Sequence, residues 1–143
     1  MLDFILTLIK PLIRLVADRP KPRVFKYFLP GKDYPTVWIA VKNFGSAPLS
    51  IFDFGIQTPG QRFSVNSRLL LGNSKPAEFP KTLDPGATFA WPIPSMATEL
   101  WHDGLIYLVD ETGFVRVYDV RPIDPQHATA RESAFHRFAF WSN

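Results

Sequence analysis

The sequence predicts a mainly β protein, a small antiparallel β-sandwich carrying a helix at each end. Three observations lead there. Thr36-Val37-Trp38-Ile39-Ala40-Val41-Lys42-Asn43 alternates apolar and more polar residues with the two-residue period of a half-buried strand, and Leu49-Ser50-Ile51-Phe52-Asp53-Phe54-Gly55-Ile56 begins a second β-rich run soon after. Fourteen prolines and eight glycines punctuate the chain at short intervals. Aromatic residues make up 15% of it, thirteen of them Phe, a composition that suits strands and ordered loops better than a helical bundle. At 143 residues the chain suits one domain with a genuine core.

Met1 to Ala17 is the most apolar segment. Asp3, Thr7, Lys10, Arg14 and Asp18 recur every three or four residues and fall on one side of a helix, while Leu2, Ile5, Leu6, Ile9, Leu12, Ile13 and Val16 cover the other. Pro11 predicts a kink in this amphipathic helix, assigned to 1–19. A membrane span needs roughly 20 apolar residues, and Asp3, Lys10 and Arg14 interrupt the run. Asp3 and Val16-Ala17-Asp18 also fit a secretory signal poorly. The helix can pack on its own domain, dock on a partner, or lie in a membrane interface. Arg19-Pro20-Lys21-Pro22 reads as an extended hinge over 20–23.

The sandwich is assigned to 24–121. Val24 to Leu29 is its first strand, ended by Pro30-Gly31; Pro35 to Asn43 is the second and Leu49 to Ile56 the third. Asp53 should face away from Phe52 and Phe54, as an exposed strand residue. After the Thr58-Pro59-Gly60 turn, Arg62 to Leu71 reads as a weaker strand, and Phe79 to Leu83 as a short one before the Asp84-Pro85-Gly86 turn. Thr88 to Ile93 alternates again, but Pro92 and Pro94 cannot donate to a ladder, so this strand belongs at an edge or ends early. Ser95 to Trp101 allows one or two helical turns with Ser95 as N-cap. Leu105 to Asp110 and Phe114 to Val120 form a hairpin through Glu111-Thr112-Gly113. In the tail, 122–143, Asp124-Pro125 supplies a helix start, and Phe135, Phe138 and Trp141 form an apolar stripe on a helix expected from Pro125 to Phe140.

Chemistry is hard to find. Without cysteine there are no disulfides, thiolate nucleophiles or Cys-type zinc sites. His102, His127 and His136 lack metal-ligand spacing, no serine sits in a nucleophile elbow, and no Gly-rich phosphate loop appears. Asp53 and Asp110-Glu111 are acidic residues that a catalyst could use, but carboxylates in a hairpin turn are usually solvated. The sequence therefore predicts no enzyme, no cofactor, no metal and no small-molecule substrate. Net charge is only +3, yet Arg14, Arg19, Lys21, Arg23 and Lys26 cluster within thirteen residues, opposed there by Asp18 alone. Such a patch suits anionic lipid, nucleic acid or an acidic protein surface, or is simply a solvated linker. Arg23-Val24-Phe25-Lys26-Tyr27-Phe28 could stack bases on an exposed sheet, but a strand with one face in the core explains it more simply, so nucleic acid is not the expected partner.

The order of strand, Asn43-x-Gly45 turn, apolar strand, Leu83-Asp84-Pro85-Gly86 turn, aromatic strand and Val109-Asp110-Glu111-Thr112-Gly113 hairpin, over Val24 to Val120, resembles small immunoglobulin-like sandwich domains of bacterial and phage proteins. The two cysteines bracketing a tryptophan that mark antibody domains are missing. The resemblance implies an adhesion, decoration or scaffold module. The lack of catalytic residues together with apolar segments at both termini predicts a structural or interaction module whose terminal helices dock on partner subunits, in a virion or another assembly. The alternative is a peripheral membrane protein held, on the cytoplasmic face, by the N-terminal helix and the adjacent basic cluster. The expected contact residues are Leu2, Ile5, Leu6, Ile9, Leu12, Ile13, Arg14, Val16, Arg19, Lys21, Arg23, Lys26, Phe135, Phe138 and Trp141, meeting a protein partner, a further copy of the chain, or a membrane surface.

Overall fold

The structure, a computed structural model, describes residues 19–29 and 36–123. The two expected terminal helices, over 1–19 and Pro125–Phe140, lie outside the described residues except for Arg19. Within them the chain is mainly β and builds two sheets. Strands β1 (Pro22–Leu29), β2 (Thr36–Asn43), β6 (Thr88–Ile93) and β9 (Pro122–Ile123) form the first, in the order β6-β2-β1-β9. Strands β3 (Leu49–Thr58), β4 (Gln61–Ser64), β7 (Leu105–Asp110) and β8 (Val115–Tyr118) form the second, in the order β4-β3-β7-β8, and β5 (Lys81–Leu83) pairs with the start of β3. The described pairings are antiparallel apart from β1 with β9.

The two sheets share one core, as in a sandwich. Val24, Val37, Ile39, Val41, Phe89, Trp91 and Ile93 face inward from the first sheet onto Leu49, Ile51, Phe54, Ile56, Ile106 and Leu108 of the second. Register explains the match: Ile39 stands opposite Lys26 on one side and Trp91 on the other, so one pleat of three strands turns the same way. Each fully buried Ile, Leu or Val contributes roughly 1.5–3 kcal/mol relative to exposure. β6 is an edge strand, as Pro92 requires. β2 and β3, neighbours in the chain, belong to different sheets, and the Asn43–Pro48 connection crosses between them.

Several expectations are corrected. Pro22 and Arg23 pair with Asn43 and Lys42, so half of the expected hinge is strand. Arg62 to Leu71 is not one strand: β4 stops at Ser64, and Arg68–Leu71 form a short helix, α1, whose Leu70 N–H is capped by Ser67 Oγ at 3.4 Å. Asn66 diverts the chain there by bonding both polar groups of Ala77 (Nδ2 to O, 2.8 Å; N to Oδ1, 2.7 Å). The expected strand at Phe79 begins only at Lys81. Ser95–Ala97 is a 3-10 turn leading into α2 (Thr98–Asp103), and Ser95 takes part through its carbonyl, accepting from Thr98 Oγ1 at 2.8 Å, rather than as a side-chain cap. The β7–β8 hairpin turns through Gly113 at φ 79°, as the sequence predicts, and after β8 the chain crosses to the first sheet, where β9 pairs with β1, a strand the sequence did not suggest.

The third strand carries the most informative correction. Ile51 pairs with Asp110 and Asp53 with Val109, so one extra residue is inserted between them. This β-bulge moves the inward phase from Leu49 and Ile51 to Phe54 and Ile56. Phe52 and Phe54 consequently part company, Phe54 entering the core while Phe52 is 47% exposed.

Candidate interaction surface

The corner where β1 begins and β2 ends is built on Asn43. Its side chain is fully buried and satisfied on both sides. Oδ1 accepts from the N–H groups of Lys21 (3.1 Å) and Gly45 (2.9 Å), and Nδ2 donates to the carbonyls of Ala47 (2.8 Å) and Leu83 (3.0 Å). Its backbone joins in, with N–H to Ala87 O at 3.1 Å and C=O accepting from Gly86 at 2.7 Å. One amide thereby ties together the entry to β1, the crossover between sheets and the turn after β5.

This tie turns residues 19–21 into a strap. Phe44 donates to Lys21 O (2.8 Å) and Ser46 to Arg19 O (3.1 Å). Gly45 permits the approach, because a Cβ there would lie 2.0 Å from Arg19 O. The result is a cationic corner. Arg19, Lys21 and Arg23 are exposed, as expected of contact residues. Arg23 stands opposite Lys42 across the ladder, and both cations lie over the Phe44 ring at 5.5 Å from its centroid. Lys42 and Phe44 were not among the expected contact residues; the signal for them was the register of β1 on β2, which the sequence does not display. The expected contacts Leu2, Ile5, Leu6, Ile9, Leu12, Ile13, Arg14, Val16, Phe135, Phe138 and Trp141 lie outside the described residues.

Lys26 does not belong to this surface. It points inward between the sheets at 2% exposure, against the sequence-based expectation of a surface contact. The physical reason is the end of α2: Lys26 Nζ donates to Gly104 O, with His102 O at 3.5 Å, where a helix presents unpaired carbonyls and the negative end of its dipole. Burial lowers the Lys26 pKa from 10.5, opposed by the charges of Asp119 and Asp103. Between that lowered value and 10.5 the unfolded chain binds more protons than the folded one, so this lysine makes stability rise with pH across that window. Wild type is therefore expected to gain stability relative to Lys26→Met between neutral pH and 10.5, measured by urea midpoints. A constant difference would show that burial does not penalise the charge.

The outer face of the first sheet is apolar too. Phe25, Tyr27 and Leu29 from β1, Trp38 and Ala40 from β2, Ala90 and Pro92 from β6, and Ile123 from β9 alternate with the core-facing residues. The Tyr27 and Trp38 rings stack at 6.2 Å and 2°. Burial pushes the Tyr27 hydroxyl up to about 12.

The carboxylates take structural places. Asp53 accepts from Ser64 Oγ (2.7 Å), the Phe54 N–H (2.9 Å) and the Tyr107 hydroxyl (2.8 Å), beneath Arg62 on the Tyr107 ring at 5.0 Å. It is half-buried, not exposed. Asp110 is buried rather than solvated, accepting from the Thr112 N–H at 2.9 Å and hydroxyl and pairing with Arg116 at 3.1 Å. Burial disfavours its charge, but the Thr112 hydrogen bonds and Arg116 outweigh burial and hold the carboxyl below its usual range. His102 and Asp103 meet at 3.0 Å on the surface. Among the described residues no group of three or more His, Asp or Glu gathers into a metal site, and no helix is long and apolar enough to cross a membrane. Comparison with protein-family models, curated proteins and solved structures gives no match to this chain.

Proposed function

We propose that the chain is a non-enzymatic interaction module, in which a rigid sandwich docks on an acidic partner subunit through its N-terminal segment and the adjoining cationic corner. The observation that carries this reading is the strap. Arg19, Lys21 and Arg23 are exposed on backbone that is hydrogen-bonded to the body, so less entropy is lost when they meet a partner than if they rode on a loose linker. The fixed positive patch also favours approach to a negative surface. In this reading the segment Leu2 to Val16, which precedes the corner in sequence, supplies the buried part of the contact.

Connectivity supports an immunoglobulin-like reading of the fold. β1, β2 and β6 stand where strands A, B and E do, and β3, β7 and β8 where C, F and G do, with β4 beside β3 as in the variable type. The fold brings no activity with it. A virion or another multi-subunit assembly is the setting the reading implies. The test is a full-length variant with Arg19→Glu, Lys21→Glu and Arg23→Glu. A partner subunit recovered with wild type, then purified, is expected to bind wild type with strong salt dependence and to lose the variant, while the urea midpoint stays unchanged. Equal binding of both proteins would sink the proposal.

A second reading has its own observation: Phe44 is 38% exposed between two cations, a pattern suited to an anionic membrane interface. Each basic residue near such a surface contributes about 1 kcal/mol. Co-flotation with anionic liposomes separates the readings, since the membrane reading requires wild type to float and the charge-reversed variant to stay behind.

A further inference from the structure

The sandwich is open along one side, where β5 of the second sheet faces β6 of the first. Two adjoining hollows of about 470 and 410 Å³ lie there, and Lys81, Thr82 and Phe89 line both. Lys81 Nζ sits over the Phe89 ring at 5.2 Å from its centroid, and Phe79 packs edge-on against the same ring at 6.3 Å. Phe89 thus makes an aromatic floor with a cation above it. Lys75 and Glu78 line the larger hollow, so two cations stand against one carboxylate.

The hydrogen-bond phase of β6 follows from where it meets the end of β2. The Asn43 N–H donates to Ala87 O at 3.1 Å, which makes Asn43 and Ala87 a bonded pair. Bonded and non-bonded pairs alternate along an antiparallel ladder. Thr88, Ala90 and Pro92, opposite Lys42, Ala40 and Trp38, are therefore the non-bonded positions. Thr88 and Ala90 turn both N–H and C=O away from β2, and both residues line the smaller hollow. Pro92 falls in the same phase, where its missing donor costs the ladder nothing. β6 ends its sheet, and no described residue bonds the outward groups of Thr88 and Ala90. Such an edge is a template for one more strand.

We propose that β6 takes up an extended segment of a protein partner as an added strand, with an acidic side chain opposite Phe89 paired to Lys81. An extended chain is the ligand whose own donors and acceptors match this edge. Its residues beside Thr88 and Ala90 exchange N–H and C=O bonds with them. The residue between these two stands opposite Phe89 and shares its face. Lys81 lies over that face, so a carboxylate there meets the ammonium group. Pro92 offers an acceptor and no donor, which keeps the added strand to a few residues. A second copy of this chain fits less well, because antiparallel pairing of β6 with itself about Phe89 would bring two Lys81 cations together.

β2 separates Thr88 from Arg23, and neither this contact nor the one at the N-terminal corner needs the other. The probe is a short blocked peptide of valine and threonine with one central glutamate, added in excess to the full-length chain. The same peptide with central lysine is the control. The glutamate peptide is expected to move the amide resonances of Thr88 and Ala90 and to slow their exchange. Lys81→Glu should reverse the preference between the two peptides. Ala90→Pro, which removes a donor that β2 does not use, should weaken binding several-fold. The variant with Arg19→Glu, Lys21→Glu and Arg23→Glu should respond at Thr88 and Ala90 as wild type does, whether or not it still binds at the corner. Unmoved Thr88 and Ala90 resonances, equal response to both peptides, or a response confined to Lys42 and Phe44 would overturn the proposal. Movement of the Thr88 and Ala90 resonances on concentrating the protein without peptide would overturn it in favour of a second copy.

Discussion

Replacing Asn43 with alanine should cost about 3–5 kcal/mol, the largest loss expected from any single polar substitution in this chain. The side chain is wholly buried and serves four backbone groups, the N–H of Lys21 and Gly45 and the carbonyls of Ala47 and Leu83. A buried group left unpaired costs about 1–3 kcal/mol, and the Leu83 carbonyl is the most enclosed of the four. The other three are part-buried and regain some water, which keeps the sum below four full penalties. Asn43→Asp should be no better. It keeps the acceptor for Lys21 and Gly45 but turns an acceptor oxygen toward two carbonyls and places a charge in the core. Urea unfolding at unchanged slope is the measurement. A loss under about 1 kcal/mol for the alanine variant would mean that the amide is a bystander.

Gly45→Ala should be the second largest effect, at about 2–4 kcal/mol, for a different reason. The added Cβ would lie 2.0 Å from Arg19 O, 2.5 Å from Lys21 N and 2.7 Å from Pro20 Cα. All three are backbone atoms, so no side-chain rotation relieves the clash, and the strap itself must lift. Lifting breaks the Phe44–Lys21 and Ser46–Arg19 hydrogen bonds. Amide exchange should therefore accelerate at Phe44 and Ser46 while the amides of β3 and β7 keep their protection relative to global stability. The variant should also dock more weakly, because its cations are no longer held in one arrangement. Unchanged exchange at Phe44 and Ser46 would show that the strap tolerates the methyl group.

Both residues lie in the Asn43-x-Gly45 motif, which reads in sequence only as a turn. Its turn character is local: Asn and Gly follow a strand and precede a proline. Its structural role is not local, since Lys21, Leu83, Ala87 and Arg19 are distant in the chain and come together only when β1, β2 and the turn after β5 meet. Lys26 shows the same limit in reverse. By sequence it is one more cation in a basic run, and only the position of α2, more than seventy residues later, makes it a buried partner for Gly104 O. The exposure of Arg19, Lys21 and Arg23 was legible because it is the usual outcome for a basic side chain and needs no partner to explain it.

What the sequence by itself determined is what short range controls. Local composition and turn residues set where β2 and β6 run, proline confined β6 to an edge, and Gly113 closed the β7–β8 hairpin, whereas the half-buried strand expected at β2 is buried on both faces. What only the tertiary structure decided is how those pieces combine. β2 and β3 went to different sheets, a bulge separated Phe52 from Phe54, β9 returned to β1, and Asn43 became the tie among three segments. The division has one physical cause. Backbone conformation and side-chain alternation follow from neighbours a few residues away, whereas pairing, register and burial are chosen by free energy summed over residues that meet only in the folded chain.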